Sequence, residues 1–157
     1  MFSKTCEYAI KASIYIASQS LENKRVGIKE IAHEIASPEA FTAKILQVLS
    51  KNHLVESVKG PNGGFFVEPS KMRTTLLSQI VKAVDGDDLF TSCGLGLKAC
   101  SAKNPCPLHT QFAKIRADIT KLLENTNLED LATGLSTGLT YLTSLAPTSK
   151  STQNTAL

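Results

Sequence analysis

Tryptophan is absent from the 157 residues, and aromatics make up only 6%. Any core must therefore be modest and mostly aliphatic, drawn from the 42% of residues that are apolar. Long apolar runs are missing too. The first twenty residues, MFSKTCEYAIKASIYIASQS, are broken by Lys4, Glu7 and Lys11. A secretory core needs about 7–15 apolar residues in a row and a membrane span about 18. That pattern predicts a soluble, cytoplasmic chain with no membrane partner. There is no C-x-x-C pair, no glycine-rich nucleotide fingerprint and no Ser/His/Asp set, so an enzyme is not expected. Strong charge of one sign is also absent. Lys+Arg 17 against Asp+Glu 14 leaves +3. Residues 1–71 hold nine basic and seven acidic side chains, and the remainder eight and seven. Bulk charge alone is thus a weak argument for nucleic acid, and any positive field must come from placement.

What is present is ordered. Over residues 5–20, Cys6, Ala9, Ile10, Ser13, Ile14 and Ala17 recur at steps of three and four, which predicts a helix. Residues 28–35 repeat the pattern with Ile28, Ile31, Ala32 and Ile35. The stretch 37–54 opens with Ser37 as a candidate cap and Pro38 at the first helical position, and Phe41, Ile45, Val48 and Leu49 form its apolar stripe. Only about two residues separate it from the preceding helix. Then comes VKGPNGGFFV, residues 58–67. Proline pre-sets a turn and glycine allows positive φ, while the flanking valine and phenylalanine favour strands. Helix, short helix, capped helix and glycine-tipped hairpin make a winged helix-turn-helix, in which the hairpin is the wing. Lys59, Gly60, Asn62 and Gly63 lie at its base and tip, placed to meet phosphate or the minor groove. Along the third helix Pro38, Ala40, Thr42, Ala43, Lys44 and Gln47 are the candidates for the groove side. Lysine reads guanine or phosphate, glutamine reads adenine and alanine meets a thymine methyl, so an A·T-rich operator is expected.

After Pro69 the composition changes. Residues 76–86 predict a short amphipathic helix ending at glycine. Residues 109–124 predict a long one with Phe112, Ile115, Ile119, Leu122 and Leu123 on one side, and 127–145 continue as one or two helices weakened by Gly134 and Gly138. The fold class is mainly α. It divides into a DNA-binding unit over 1–70, a connecting helix over 71–86, a cysteine-bearing loop over 87–108 and helices over 109–146. The tail over 147–157 is expected to be disordered.

The loop CGLGLKACSAKNPCPLH carries the chemistry. Cys93, Cys100 and Cys106 are spaced C-x6-C-x5-C, and His109 follows at C-x2-H. Thiolates and imidazole suit zinc or an iron–sulfur cluster. Zinc sites usually use C-x2–4-C pairs, so the longer gaps lean toward a cluster. Lys98 and Lys103 could offset thiolate charge. Cys6, on the apolar face of the first helix, reads as a buried small hydrophobe.

Together, CEYAIKA, VKGPNGGF, IVKAVDG and the three-cysteine loop resemble the Rrf2 family across residues 1–145. That resemblance implies a homodimeric bacterial transcription regulator, usually a repressor. It would read double-stranded DNA at an imperfect palindrome, with the long helix after the cysteines pairing the subunits. It also implies that Cys93, Cys100 and Cys106 ligate a cluster that senses redox, nitric oxide or iron–sulfur status. For the fourth ligand, His109 matches the IscR type with its [2Fe–2S] centre. Glu7 stands where the NsrR type places an aspartate for a [4Fe–4S] centre. His109 and [2Fe–2S] are the preferred pair. Ala40 and Ala43 stand where the IscR type has serine and glutamate, which implies a different operator. Two alternatives share the fold: a cluster-free regulator of the CymR kind controlled by a partner protein, and a structural zinc on the same ligands.

Overall fold

The computed structural model describes residues 1–142 of the chain; the tail expected over 147–157 lies outside them. Helix α1 spans Lys4–Leu21, α2 Ile28–Glu34 and α3 Glu39–Lys51. Strands β1 (Glu56–Val58) and β2 (Gly64–Phe66) pair antiparallel, with Ser57 opposite Phe65. Helical turn α4 (Pro69–Met72), helix α5 (Leu77–Asp85) and turn α6 (Asp88–Thr91) follow, and then α7 (His109–Asn125) and α8 (Leu128–Ser136). The protein is mainly helical, with one small sheet, as the sequence predicts.

Local chemistry explains the ends. Ser3 caps α1 by accepting from the Cys6 N–H at 3.0 Å, and Asn127 caps α8 by accepting from the Asp130 N–H at 2.9 Å. Ser37 does not cap α3. Pro38 occupies the cap position, and its carbonyl accepts from the Thr42 N–H at 2.9 Å. The turn between α2 and α3 is accordingly four residues, 35–38, rather than two. The wing gains a third edge, because Val26 exchanges hydrogen bonds with Phe65 at 3.1 and 2.8 Å.

The main core holds Ile16, Ile31, Ile45, Leu46 and Leu49 from the first three helices and Ile35 from the turn after α2, together with Val55, Val67, Ile80, Leu128 and Ala132. Helix α8 therefore packs back onto α1. Of the helices expected over 109–146 to pair subunits, α8 buries its apolar face inside its own chain. Helix α7 touches a second, smaller core of Cys6, Val81 and Leu123, which joins it to α1 and α5. Ile119 packs against the same core, whereas two other apolar side chains of α7 stay open: Ile115 is 51% and Leu122 60% exposed. No helix among the described residues is long and apolar enough to cross a membrane.

Candidate metal centre and nucleic-acid interface

The loop between α6 and α7 folds against the start of α7. The Arg116 guanidinium donates to the Ser92 carbonyl at 3.0 Å and ties down the loop's first residue. Two residues on, a Cβ at Gly94 would lie 2.6 Å from the Phe112 ring, so only glycine lets the loop approach α7 this closely. The loop then turns back so that its cysteines converge. The sulfurs of Cys93, Cys100 and Cys106 all lie within 4.8 Å of one another. Cys93 and Cys106 sulfurs are 3.6 Å apart, and Cys100 Sγ is 3.2 Å from His109 Nδ1. The four candidate ligands thus fall into a thiol–thiol pair and a thiol–imidazole pair. No disulfide joins any of them.

The electrostatics favour ligation at one end. Hydrogen bonds from the Leu97 and Leu95 backbone N–H groups to the Cys93 sulfur lower that thiol to about 7. The thiolate, which is the ligating form, is then available near neutral pH. Cys106 moves the other way, raised first by desolvation. Glu7 does not join the group within its own chain. Its carboxylate pairs with Lys4 Nζ at 2.9 Å, and that hydrogen bond holds it below the usual carboxylate range. Cys6 is fully buried and stands apart from the other three.

In the N-terminal unit, Ala40, Lys44 and Gln47 are exposed at steps of four and three along α3, with Ala43 half-buried beside them and Pro38 exposed ahead of them. They share one helix face. Thr42 does not. It is fully buried, and its hydroxyl donates to the Pro38 carbonyl at 3.0 Å, so it holds the first turn of α3 and faces the core. In the wing, Lys59, Gly60 and Asn62 are exposed and Gly63 is half-buried. Gly63 has a requirement of its own. A Cβ there would sit 2.1 Å from the Val58 carbonyl oxygen, so this glycine is demanded by the hairpin itself.

Arg25 is the residue that sequence reasoning missed. Its guanidinium donates to the Asn62 carbonyl at 3.3 Å and lies 5.1 Å from the centre of the Phe66 ring. It braces the wing tip and adds a positive charge there. The basic pair Lys24–Arg25, in the connection between α1 and α2, is the sequence signal that could have found it.

Comparison with known proteins bears on both sites. The family model described as "Rrf2: Iron-dependent Transcriptional regulator" matches residues 2–134. The chain belongs to the Rrf2 family. An Aquifex aeolicus protein named as an HTH-type transcriptional regulator is 33% identical to this Rrf2 chain over 135 residues, covering 83% of this chain and 90% of that one. The HTH-type transcriptional regulator IscR of Pectobacterium carotovorum is 29% identical over 124 residues, covering 79% and 74%. Two solved structures share the fold. CymR, the global cysteine regulator of B. subtilis, gives a TM-score of 0.70 at 22% identity, covering 85% and 96%. T. potens IscR gives 0.68 at 21%, covering 89% and 91%. Both of these curated relatives are named as transcriptional regulators.

Proposed function

We propose that this protein is a homodimeric DNA-binding regulator, most simply a cytoplasmic repressor, whose operator affinity depends on an iron–sulfur cluster held by Cys93, Cys100, Cys106 and His109. The observation that carries the reading is the convergence of three sulfurs within 4.8 Å, with His109 Nδ1 3.2 Å from one of them. Three thiols and an imidazole would suit a [2Fe–2S] centre, with Cys93, Cys100, Cys106 and His109 as the residues that would hold it. A bound cluster supplies a redox- and nitric-oxide-responsive centre. His109 is preferred to Glu7 because it belongs to the convergent group, whereas Glu7 is engaged by Lys4.

The ligands sit on the segment that leads from α6 into α7. Ligation fixes that segment and release frees it, so occupancy can bias how the two halves of the molecule are held. Exposed Ile115 and Leu122 on α7 support subunit pairing through that helix. Two copies of α3 would then enter successive major grooves of an imperfect palindrome, presenting Ala40, Ala43, Lys44 and Gln47 to the bases. Lys59, Arg25 and the backbone N–H groups of the tip would position the protein on phosphates.

Anaerobic purification with iron and sulfide counts tests the assignment. The parent protein should be coloured and dimeric, and Cys100→Ala should be colourless with altered operator binding. An unchanged spectrum in that variant rejects the ligand set. Footprints centred on a G·C-rich core would reject the A·T-rich operator. The same donors also admit a structural zinc. A tetrahedral ion with Zn–S of about 2.3 Å separates its sulfurs by about 3.8 Å, and the 3.6 Å between Cys93 and Cys106 suits zinc and tetrahedral iron alike. Zinc at one per chain, without iron or sulfide, would establish it.

A further inference from the structure

A cavity of about 380 Å3 lies apart from both sites, between the last turns of α1, the end of α2 and the turn that follows α8. Its volume falls within the range of small-molecule sites, roughly 300–1,000 Å3. Tyr15, only 9% exposed, lines the inner end. Its hydroxyl donates to Glu30 Oε1 at 2.7 Å, so the ring is what Tyr15 has left to offer a guest. Tyr141, 57% exposed, lines the outer end. Leu135 and Leu142 supply apolar wall.

The charge on this wall has one sign. Glu22 and Glu34 line the cavity, and no lysine, arginine or histidine does among the described residues. Lys24 meets Glu22 at 2.6 Å and His33 approaches Glu34 at 3.5 Å, but all four side chains are more than 40% exposed. Such solvated pairs are weak and readily exchanged. Two carboxylates beside two tyrosine rings attract a cation and offer it ring faces, while the leucines accept a hydrocarbon body.

We propose that this cavity is a binding site for a small organic cation, a single ammonium carried on a short aromatic or aliphatic body. Glu22 and Glu34 hold the charge, and the tyrosine rings with Leu135 and Leu142 hold the body. Glu34 is the last residue of α2, which the turn over 35–38 joins to α3.

Calorimetric titration of the full chain tests this with 2-phenylethylammonium as probe and 3-phenylpropionate, an anion of similar shape, as control. The ammonium should bind once per chain, and the anion at least about tenfold more weakly. Glu22→Gln combined with Glu34→Gln removes the charge at exposed positions and should weaken the ammonium by at least about tenfold. Ser136→Trp, at another exposed wall position, should block it by filling space. Circular dichroism would verify that both variants are folded. Absence of ammonium binding, equal binding of the anion, or parent-like binding by both folded variants overturns the proposal. None of these readouts depends on the cysteine centre or on DNA.

Discussion

Ala36 holds a φ of 53° in the turn between α2 and α3. Its N–H donates to the His33 carbonyl at 3.2 Å, and the Ser37 N–H donates to the Ala32 carbonyl at 2.9 Å. This pair of bonds closes α2 as a Schellman motif, whose left-handed position usually belongs to glycine. Asn23 and His53 occupy the equivalent positions after α1 and α3, with φ of 57° and 56°. Asparagine tolerates that conformation, but alanine is strained there by about 1–2 kcal/mol. Part of this is recovered if the side chain is removed. Ala36→Gly should raise unfolding stability by up to about 1 kcal/mol in a urea titration, after the greater flexibility of unfolded glycine is counted. Cys6 offers a pH test. Burial first, and then the Asp85 carboxylate, push its thiol up to about 12. A thiol in the unfolded chain titrates near 8.5. The folded state therefore favours the neutral form, and its contribution is complete below about 8.5 and lost as pH rises toward 12. Melting temperature should thus fall more steeply between about pH 8.5 and 10.5 in the parent than in Cys6→Ala.

At the scale of elements, the wing depends on backbone approach rather than on side chains. A methyl at Gly63 would meet the Val58 and Gly60 carbonyl oxygens at 2.1 and 2.9 Å, and backbone atoms cannot step aside as a flexible side chain can. Gly63→Ala should open the hairpin, displace the Arg25–Asn62 contact and lower operator affinity about tenfold, or 1.4 kcal/mol. Mobility-shift titration beside far-ultraviolet circular dichroism would check it, with helix content preserved. The elements themselves were largely legible in sequence, since α1, α2, α5 and α7 fall within a residue or two of their apolar periodicity. The errors cluster where geometry is not periodic. Ser37 resembles a cap, but the Schellman bond to Ala32 claims its backbone. Thr42 sits among polar candidates, but its hydroxyl bonds within the first turn and its side chain is buried. Gly63 stands among the candidates for phosphate or the minor groove, but the hairpin's own carbonyls already require a glycine there.

At the scale of the whole molecule, the N-terminal head, helices α1–α3 with the wing, and the C-terminal helices share cores. Leu128 and Ala132 of α8 lie in the same cluster as Ile16 and Leu49, and Leu123 of α7 packs with Cys6 and Val81. Arg73 adds a surface tie to Glu129 at 2.7 Å. A change at the cysteine loop can therefore reach the head through packed helices. Leu128→Ala, at a position 1% exposed, should cost about 2–5 kcal/mol. Because the core is shared, near- and far-ultraviolet signals should melt together at the lowered temperature. Separate transitions would show that head and helices fold independently.

Periodicity, turn composition and ligand chemistry are local properties. The residues alone therefore determined the helix order, the hairpin and the presence of three cysteines on one loop. Partnership is not local. Contacts across the chain decided that α8 returns to α1, that Arg25 braces the wing, and that His109 rather than Glu7 stands beside Cys100. They also decided that a cavity closes between α1, α2 and the exit of α8. In each case the deciding distance joins residues whose separation along the chain says nothing about their separation in space.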